Sequence, residues 1–153
     1  MKTTVNHERL AGAAAWLYCV WQARDLQHAW LHSPFDRAGS AAFLIWCLPP
    51  VLCLFRREAV RQGWLAAGVL LSLAGVLTEV NFVKYLGFAT VTAGFVPASR
   101  FFWLWLAAAV SWMPVLGWLL GATGPVFVHA VRLVLSMAPA AVLLMRPSSI
   151  LSR

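Results

Sequence analysis

The chain has 153 residues, of which 61% are hydrophobic and only 11% are charged, and its mean hydropathy is +0.76. A soluble domain of this length could not cover so much apolar surface with so few charges, so the composition predicts a membrane protein. The net charge of +7 comes from Lys and Arg residues that are scattered between apolar runs. Because they form no patch or stripe, we expect no nucleic-acid partner.

Six apolar runs approach the length of about 20 residues that a membrane span needs. They predict an all-α fold, a polytopic transmembrane helical bundle in one domain (residues 1–153), with spans at about 10–23, 38–55, 64–78, 82–98, 101–120 and 125–145. The first run is short and is predicted to continue into the interface through Leu26 and Trp30. Pro49 and Pro50 remove two backbone donors from the second run and are predicted to kink or break it.

The basic residues predict the orientation of these spans. With six spans both termini lie on one side, which then holds eight of the twelve Lys and Arg residues: Lys2, Arg9, Arg56, Arg57, Arg61, Arg100, Arg146 and Arg153. The opposite side holds Arg24, Arg37 and Lys84, and Arg132 falls inside the sixth span. Since basic loops stay in the cytoplasm, we expect a multi-pass protein of the inner membrane with both ends cytoplasmic.

The other ionisable residues collect at the extracytoplasmic side of this topology. His129 and Arg132 begin four and seven residues after Pro125, about 6 to 10 Å below the outer end of the last span. The sequence therefore predicts an outer polar layer that could bind a ligand, formed by Asp25, His28, Asp36, Glu79, His129 and Arg132.

Arg132 is the most unusual member of this layer. A charge that faced lipid would cost about 2.5 to 3.5 kcal/mol, so its side chain is predicted to face the bundle interior or an outer cavity, on one helix face with His129 and Ser136. Glu79, at the outer end of the third span, is the first choice as its counter-charge, and Asp25 and Asp36 are alternatives. Snorkelling, helix locking and ligand binding all remain open as roles for this residue.

The three cysteines give little support for catalysis or metal binding. Cys19, Cys47 and Cys53 lie in or beside apolar runs, without CxxC spacing, which predicts buried and unreactive thiols. A catalytic site at Cys19 would require its thiol to lie close to His129 and Arg132, and nothing in the sequence spacing brings these three residues together. His28 and His32 have the i, i+4 spacing of metal ligands, but no third ligand is marked, so we expect neither a metal nor a cofactor.

The layout resembles the exosortase and archaeosortase family of integral membrane proteins. The resemblance lies in the outer loop "HAWLHSPFDRAG", the basic "FRRE" after the second span, the hairpin "GWLAAGVLLSLAGVLTEVNFVKYLGFATVTAGFVP" and the proline-bearing "FFWLWLAAAVSWMPVLGWLLG". It implies a helical membrane protein that acts on sorting-tagged surface proteins at the outer face of the membrane. That family carries a catalytic Cys in a Cys-Ser-Gly setting, whereas this chain has no Cys after Cys53 and no such motif.

No catalytic residue is therefore carried over from the family. The sequence predicts a noncatalytic exosortase-like or accessory subunit of the membrane, which contacts lipid and a larger membrane protein or a sorting-tagged surface protein. An exosortase-like cysteine protease or transpeptidase is the alternative. A small-solute transporter or a membrane subunit of a redox complex is a second alternative, since Pro49-Pro50, Pro114 and Pro139 could mark broken helices.

Overall fold

A computed structural model of the protein describes residues 2–55 and 59–144, with the side chains of all of these except residues 2–6, 8, 9 and 144. Within these ranges the regular structure is entirely helical, which confirms the predicted all-α class. The helices are α1 (Lys2–Gln22), α2 (Asp25–His32), α3 (Gly39–Phe55), α4 (Gln62–Leu77), α5 (Asn81–Ala93), α6 (Phe102–Ala107), α7 (Pro114–Leu120) and α8 (Pro125–Leu144), with 3₁₀ turns at Ala108–Ser111 and Gly121–Thr123.

The apolar runs predict where helices form better than where they break. α1 ends at Gln22, and a short turn at Ala23 and Arg24 separates it from α2, so the expected continuous extension is wrong. The run at 101–120 is also divided, because α6 and its 3₁₀ turn meet α7 at an angle of 71°. Conversely, Pro49 and Pro50 lie inside α3 without breaking it.

α4 and α5 form a tight antiparallel hairpin, as the short turn between them predicts. Their contact depends on small residues: a Cβ atom added to Gly87 of α5 would lie 2.6 Å from the backbone nitrogen of Ser72 and 2.8 Å from the carbonyl oxygen of Gly68. Backbone therefore packs directly on backbone, as in close-packed membrane helices. α1 lies against both helices of this hairpin.

Aromatic side chains join the hairpin to the second half of the fold, where α8 packs on α3 and on the broken α6–α7 segment. Trp46 of α3 and Trp105 of α6 stack with their ring centres 4.6 Å apart, and each indole nitrogen donates to the other residue's carbonyl oxygen, at 2.8 and 3.0 Å. Phe88 of α5 meets Trp112 with ring centres 5.9 Å apart. The buried indole groups thus obtain hydrogen-bond partners while their rings fill the core.

Few of the described helices are long and apolar enough to cross a bilayer. Pro125–Leu143 of α8 passes such a test, and the bent pair Phe102–Ser111 and Pro114–Thr123 would count as a second span if the two parts cross together. α3 and α4 are apolar but have only 17 and 16 residues, about 25 Å of helix against about 30 Å of hydrocarbon. By length and composition, these one or two helices are a weak indication of a membrane location.

Candidate functional site

Arg132 of α8 is fully buried and forms an ion pair with Asp36, which lies in the turn between α2 and α3. The Nη2 atom of Arg132 donates to Oδ1 of Asp36, and its Nε atom donates to the carbonyl oxygen of Phe35 at 3.2 Å. The inward orientation predicted for Arg132 is confirmed. The choice of Glu79 as its counter-charge is wrong, and Asp36, one of the two alternatives, takes that place.

The same guanidinium group holds the bend between α6 and α7. Its Nη1 atom donates to the carbonyl oxygens of Ser111 at 2.6 Å and of Met113 at 3.0 Å. The indole nitrogen of Trp30 donates to the carbonyl between them, that of Trp112, at 3.0 Å. A break in a helix frees carbonyl groups that must find other donors when they are buried. Here Arg132 and Trp30 supply donors to three consecutive carbonyls.

A pocket of about 560 Å³ lies on the other side of this bend, between α2, α5 and α7. We call it the outer pocket, and it is lined by Asp25, His28, Ala29, Asn81, Phe82, Tyr85, Pro114, Val115 and Trp118. The wall from α7 begins one residue after Met113, whose carbonyl Arg132 holds. The buried ion pair therefore positions this wall without lining the pocket itself.

The outer pocket combines charge with aromatic surface. The carboxylate of Asp25 lies 3.9 Å from the ammonium group of Lys84, which also donates to the Oδ1 atom of Asn81 at 2.9 Å. Trp118 is 83% exposed and stands at the edge of the pocket, while Tyr85 is buried in its wall. Pockets of this kind, with apolar walls and a few polar groups, bind amphipathic ligands or side chains.

The predicted polar layer thus separates into two pairs and two isolated residues. Asp36 and Arg132 are in contact, and Asp25 and His28 share the outer pocket. Glu79 is exposed in the turn between α4 and α5, where its backbone has φ = 57°. His129 is partly buried on α8, and its Nδ1 atom has no hydrogen-bond partner among the described residues.

Ser136, on the same helix face as Arg132, does not lock α8 to another helix. Its hydroxyl group donates back to the carbonyl oxygens of Arg132 and Leu133 within α8, each at 3.0 Å. This local bond satisfies a buried hydroxyl without a partner from elsewhere. Among the described residues, the side-chain hydrogen bonds that join α8 to the rest of the fold come from Arg132.

Among the described residues, no hydrogen bond or ion pair joins Cys19 to His129 or Arg132. Cys19 is fully buried, and its thiol contacts the carbonyl oxygen of Gly68 at 4.0 Å, whereas the acceptors of Arg132 are all oxygen atoms on other segments. His28 and His32 stack with ring centres 4.0 Å apart, and Nδ1 of His32 lies 2.9 Å from the carbonyl oxygen of His28. Within residues 2–55 and 59–144, no group of three or more His, Cys, Asp or Glu side chains could hold a metal ion.

Some residues of the site could not be selected from the sequence. Asn81, Tyr85 and Trp118 line the outer pocket because the α4–α5 hairpin and the α6–α7 bend bring them together, and no motif connects them. For the backbone carbonyls of Ser111 and Met113 that accept from Arg132, the signal in the sequence is Pro114. A proline within an apolar run marks a point where carbonyls lose their helical donors.

Comparisons of this chain with known protein families, with curated proteins and with solved structures find no match.

Proposed function

We propose that the protein is a noncatalytic subunit of the inner membrane, which uses the outer pocket to bind a segment of a larger membrane protein or of a sorting-tagged surface protein. The observation that carries this proposal is the pocket itself, which has a charged and aromatic lining and a wall fixed by the buried Asp36–Arg132 pair. A rigid wall lowers the entropy cost of binding, so a site built against it is suited to recognition.

The membrane location is supported by apolar side chains on the outside of the fold. Leu17 of α1, Leu44 of α3, Leu70 of α4 and Val134 of α8 are each more than 60% exposed. Exposed apolar residues on so many helices would cause aggregation in water but are the expected surface in lipid. They favour lipid contact by α1, α3, α4 and α8, which together with α5 and the α6–α7 pair would be the six spans. The distribution of basic residues would then place both termini in the cytoplasm.

Within this proposal the protein is a relative or accessory subunit of the exosortase family that lacks its thiol chemistry. The support is the resemblance of the outer loop, the basic "FRRE" segment, the hairpin and the proline-bearing span, together with the absence of a Cys-Ser-Gly motif from the sequence. The burial of Cys19 favours a structural role for this thiol over the cysteine protease alternative. No contact within the described residues gives a comparable reason to favour a transporter or a redox subunit.

The proposal predicts a partner contact at Trp118 that depends on the charged lining of the pocket. A photo-crosslinking amino acid in place of Trp118 should capture one defined membrane or surface protein in living cells. We expect Asp25→Asn combined with His28→Ala to reduce this adduct at least about fivefold, since hydrogen bonds to a charged group are lost. Glu79→Gln, which changes an exposed acid outside the pocket, is the matched control.

The adduct should persist when Cys19, Cys47 and Cys53 are all replaced by Ser, because no thiol takes part in binding. A protein that acts through one of these thiols would instead lose its cellular effect in the triple variant. Adducts that are unchanged by Asp25→Asn with His28→Ala, or equally reduced by Glu79→Gln, would contradict binding at the outer pocket.

A further inference from the structure

A second cavity lies at the other end of the fold, between α1, α3 and α5. Its volume is about 610 Å³, within the range of ligand pockets, and it is lined by Ala13, Trp16, Leu17, Phe43, Cys47, Pro50, Val51, Cys53, Leu54, Val60, Thr92 and Phe95. We call it the inner cavity. None of the lining residues that the structure describes is charged, and none of them lines the outer pocket.

The polar groups at the inner cavity are already engaged within the protein. The hydroxyl group of Thr92 donates to the carbonyl oxygen of Phe88 at 2.9 Å and accepts a hydrogen bond from the indole nitrogen of Trp16 at 3.2 Å. A polar ligand group would have to break these bonds, whereas a hydrocarbon chain would not. The lining therefore favours an apolar chain as the occupant.

One end of the inner cavity lies beside the backbone of Arg61. Val60 and Phe95 line the cavity, and the next residue after Val60, Arg61, donates its backbone N–H to the carbonyl of Gly94 at 2.9 Å. The guanidinium carbon of Arg61 lies 5.0 Å from the ring centre of Trp64 and 4.9 Å from that of Phe102, close enough for cation–π attraction.

The guanidinium group of Arg61 retains an unused donor. Its Nη1 atom is buried and has no hydrogen-bond partner among the described residues. A buried N–H group without an acceptor is costly, so an anionic acceptor that reaches the guanidinium group would stabilise it. The aromatic rings hold the cation in place, which leaves its edge for hydrogen bonding.

We propose that the inner cavity and Arg61 together form a site for one anionic phospholipid of the cytoplasmic leaflet. An acyl chain occupies the cavity, and the headgroup phosphate accepts hydrogen bonds from Arg61. This inference rests on the membrane location and the orientation proposed above, which put Arg61 on the cytoplasmic side. Attraction of basic residues to anionic headgroups is strongest at that surface.

The site is tested by the thermal stability of the full-length protein in detergent with added phosphatidylglycerol, phosphatidylcholine or inorganic phosphate. Phosphatidylglycerol should bind about five- to tenfold more tightly than phosphatidylcholine, and phosphate alone should not stabilise the protein. Arg61→Gln should remove the difference between the two lipids. Arg100→Gln, another arginine stacked on an aromatic ring, is the matched control and should preserve it.

The cavity is tested separately with Ala13→Trp, which places a large side chain in it, and with Ala14→Trp as the matched control outside its lining. Ala13→Trp should weaken the binding of both lipids, whereas Ala14→Trp should not. If Ala13→Trp does not fold, the cavity is tested instead by the quenching of tryptophan fluorescence with phosphatidylglycerol that carries brominated acyl chains. Because Trp16 lines the cavity, the fraction of the tryptophan fluorescence that is quenched should be smaller in Trp16→Phe than in the unmodified protein.

Equal binding of the two lipids, or equal effects of Arg61→Gln and Arg100→Gln, would overturn the anionic lipid site while leaving the proposed membrane location intact. Loss of binding in Ala14→Trp as well as Ala13→Trp, or quenching unchanged by Trp16→Phe, would overturn the cavity as its location. A protein without a membrane location would instead bind neither lipid. Partner capture at Trp118 is independent of all these outcomes.

Discussion

At the scale of single residues, Arg132 joins the turn between α2 and α3 to the bend between α6 and α7. The cost of a charge in lipid was enough to predict that its side chain faces inward. Its counter-charge was not predictable, because Asp25, Asp36 and Glu79 all fall on the same side of the bundle. The choice of Asp36 depends on the placement of the turn between α2 and α3 against α8, where Phe35 and Asp36 both contact Arg132.

Removal of either partner of this pair should destabilise the fold strongly. Arg132→Leu leaves the Asp36 carboxylate buried without a counter-charge, which costs about 3 to 5 kcal/mol. The change Arg132→Leu with Asp36→Leu should cost less than Arg132→Leu alone, since no buried charge is left. Arg37→Leu, at an exposed neighbouring position, is the control. Thermal unfolding in detergent measures these differences, and similar effects of Arg132→Leu and Arg37→Leu would reduce the ion pair to a minor contact.

Gly117 of α7 provides a gentler test of the same pair. A Cβ atom at this position would lie 2.7 Å from Oδ1 of Asp36 and 3.2 Å from Nη2 of Arg132, so Gly117→Ala should displace the ion pair. We expect a loss of about 1 to 3 kcal/mol, as for overpacking. Gly121→Ala is the matched control, because a Cβ atom there meets no atom within 4 Å. If denaturant unfolding gives both variants the same stability, the close packing at Gly117 is contradicted.

At the scale of the elements, the apolar runs predict every long helix but read the two broken segments as continuous, and only the transporter alternative places a break at Pro114. The run at 101–120 carries no charge and reads as one span, yet it bends by 71°. The bend is stable because Trp30 and Arg132, which lie in other helices, donate to its free carbonyls. In the local sequence, Pro114 is the signal for this bend. A proline alone does not predict a break, because Pro49 and Pro50 lie inside the continuous helix α3.

The α4–α5 hairpin predicts a sharp difference between two glycines. Gly87→Ala would press a methyl group against backbone atoms of α4, which cannot rotate away, so the two helices should separate at this point. We expect a loss of at least about 1 to 3 kcal/mol. Gly63→Ala, at the first turn of α4 and in open space, should be neutral or stabilising. Hydrogen exchange of the α4 and α5 amides would reveal the separation, and unchanged protection in Gly87→Ala would argue against backbone contact.

At the scale of the whole molecule, the outer pocket and the inner cavity lie at opposite ends of α5. The outer pocket depends on a wall that Arg132 fixes, and the inner cavity ends beside Arg61. The composition predicts a membrane protein, and the distribution of basic residues predicts an orientation that is still a prediction. They could not predict the pockets, because each is lined by three or more segments that are distant in sequence.

The orientation of the bundle is the central claim, and cysteine labelling tests it most directly. In a variant with Cys19, Cys47 and Cys53 replaced by Ser, His32→Cys and Gly63→Cys would each supply one exposed thiol. In intact cells a membrane-impermeant maleimide should label His32→Cys, while Gly63→Cys should react only after the membrane is permeabilised. Labelling of both positions in intact cells, or the reverse order of reaction, would contradict the six-span topology with cytoplasmic termini.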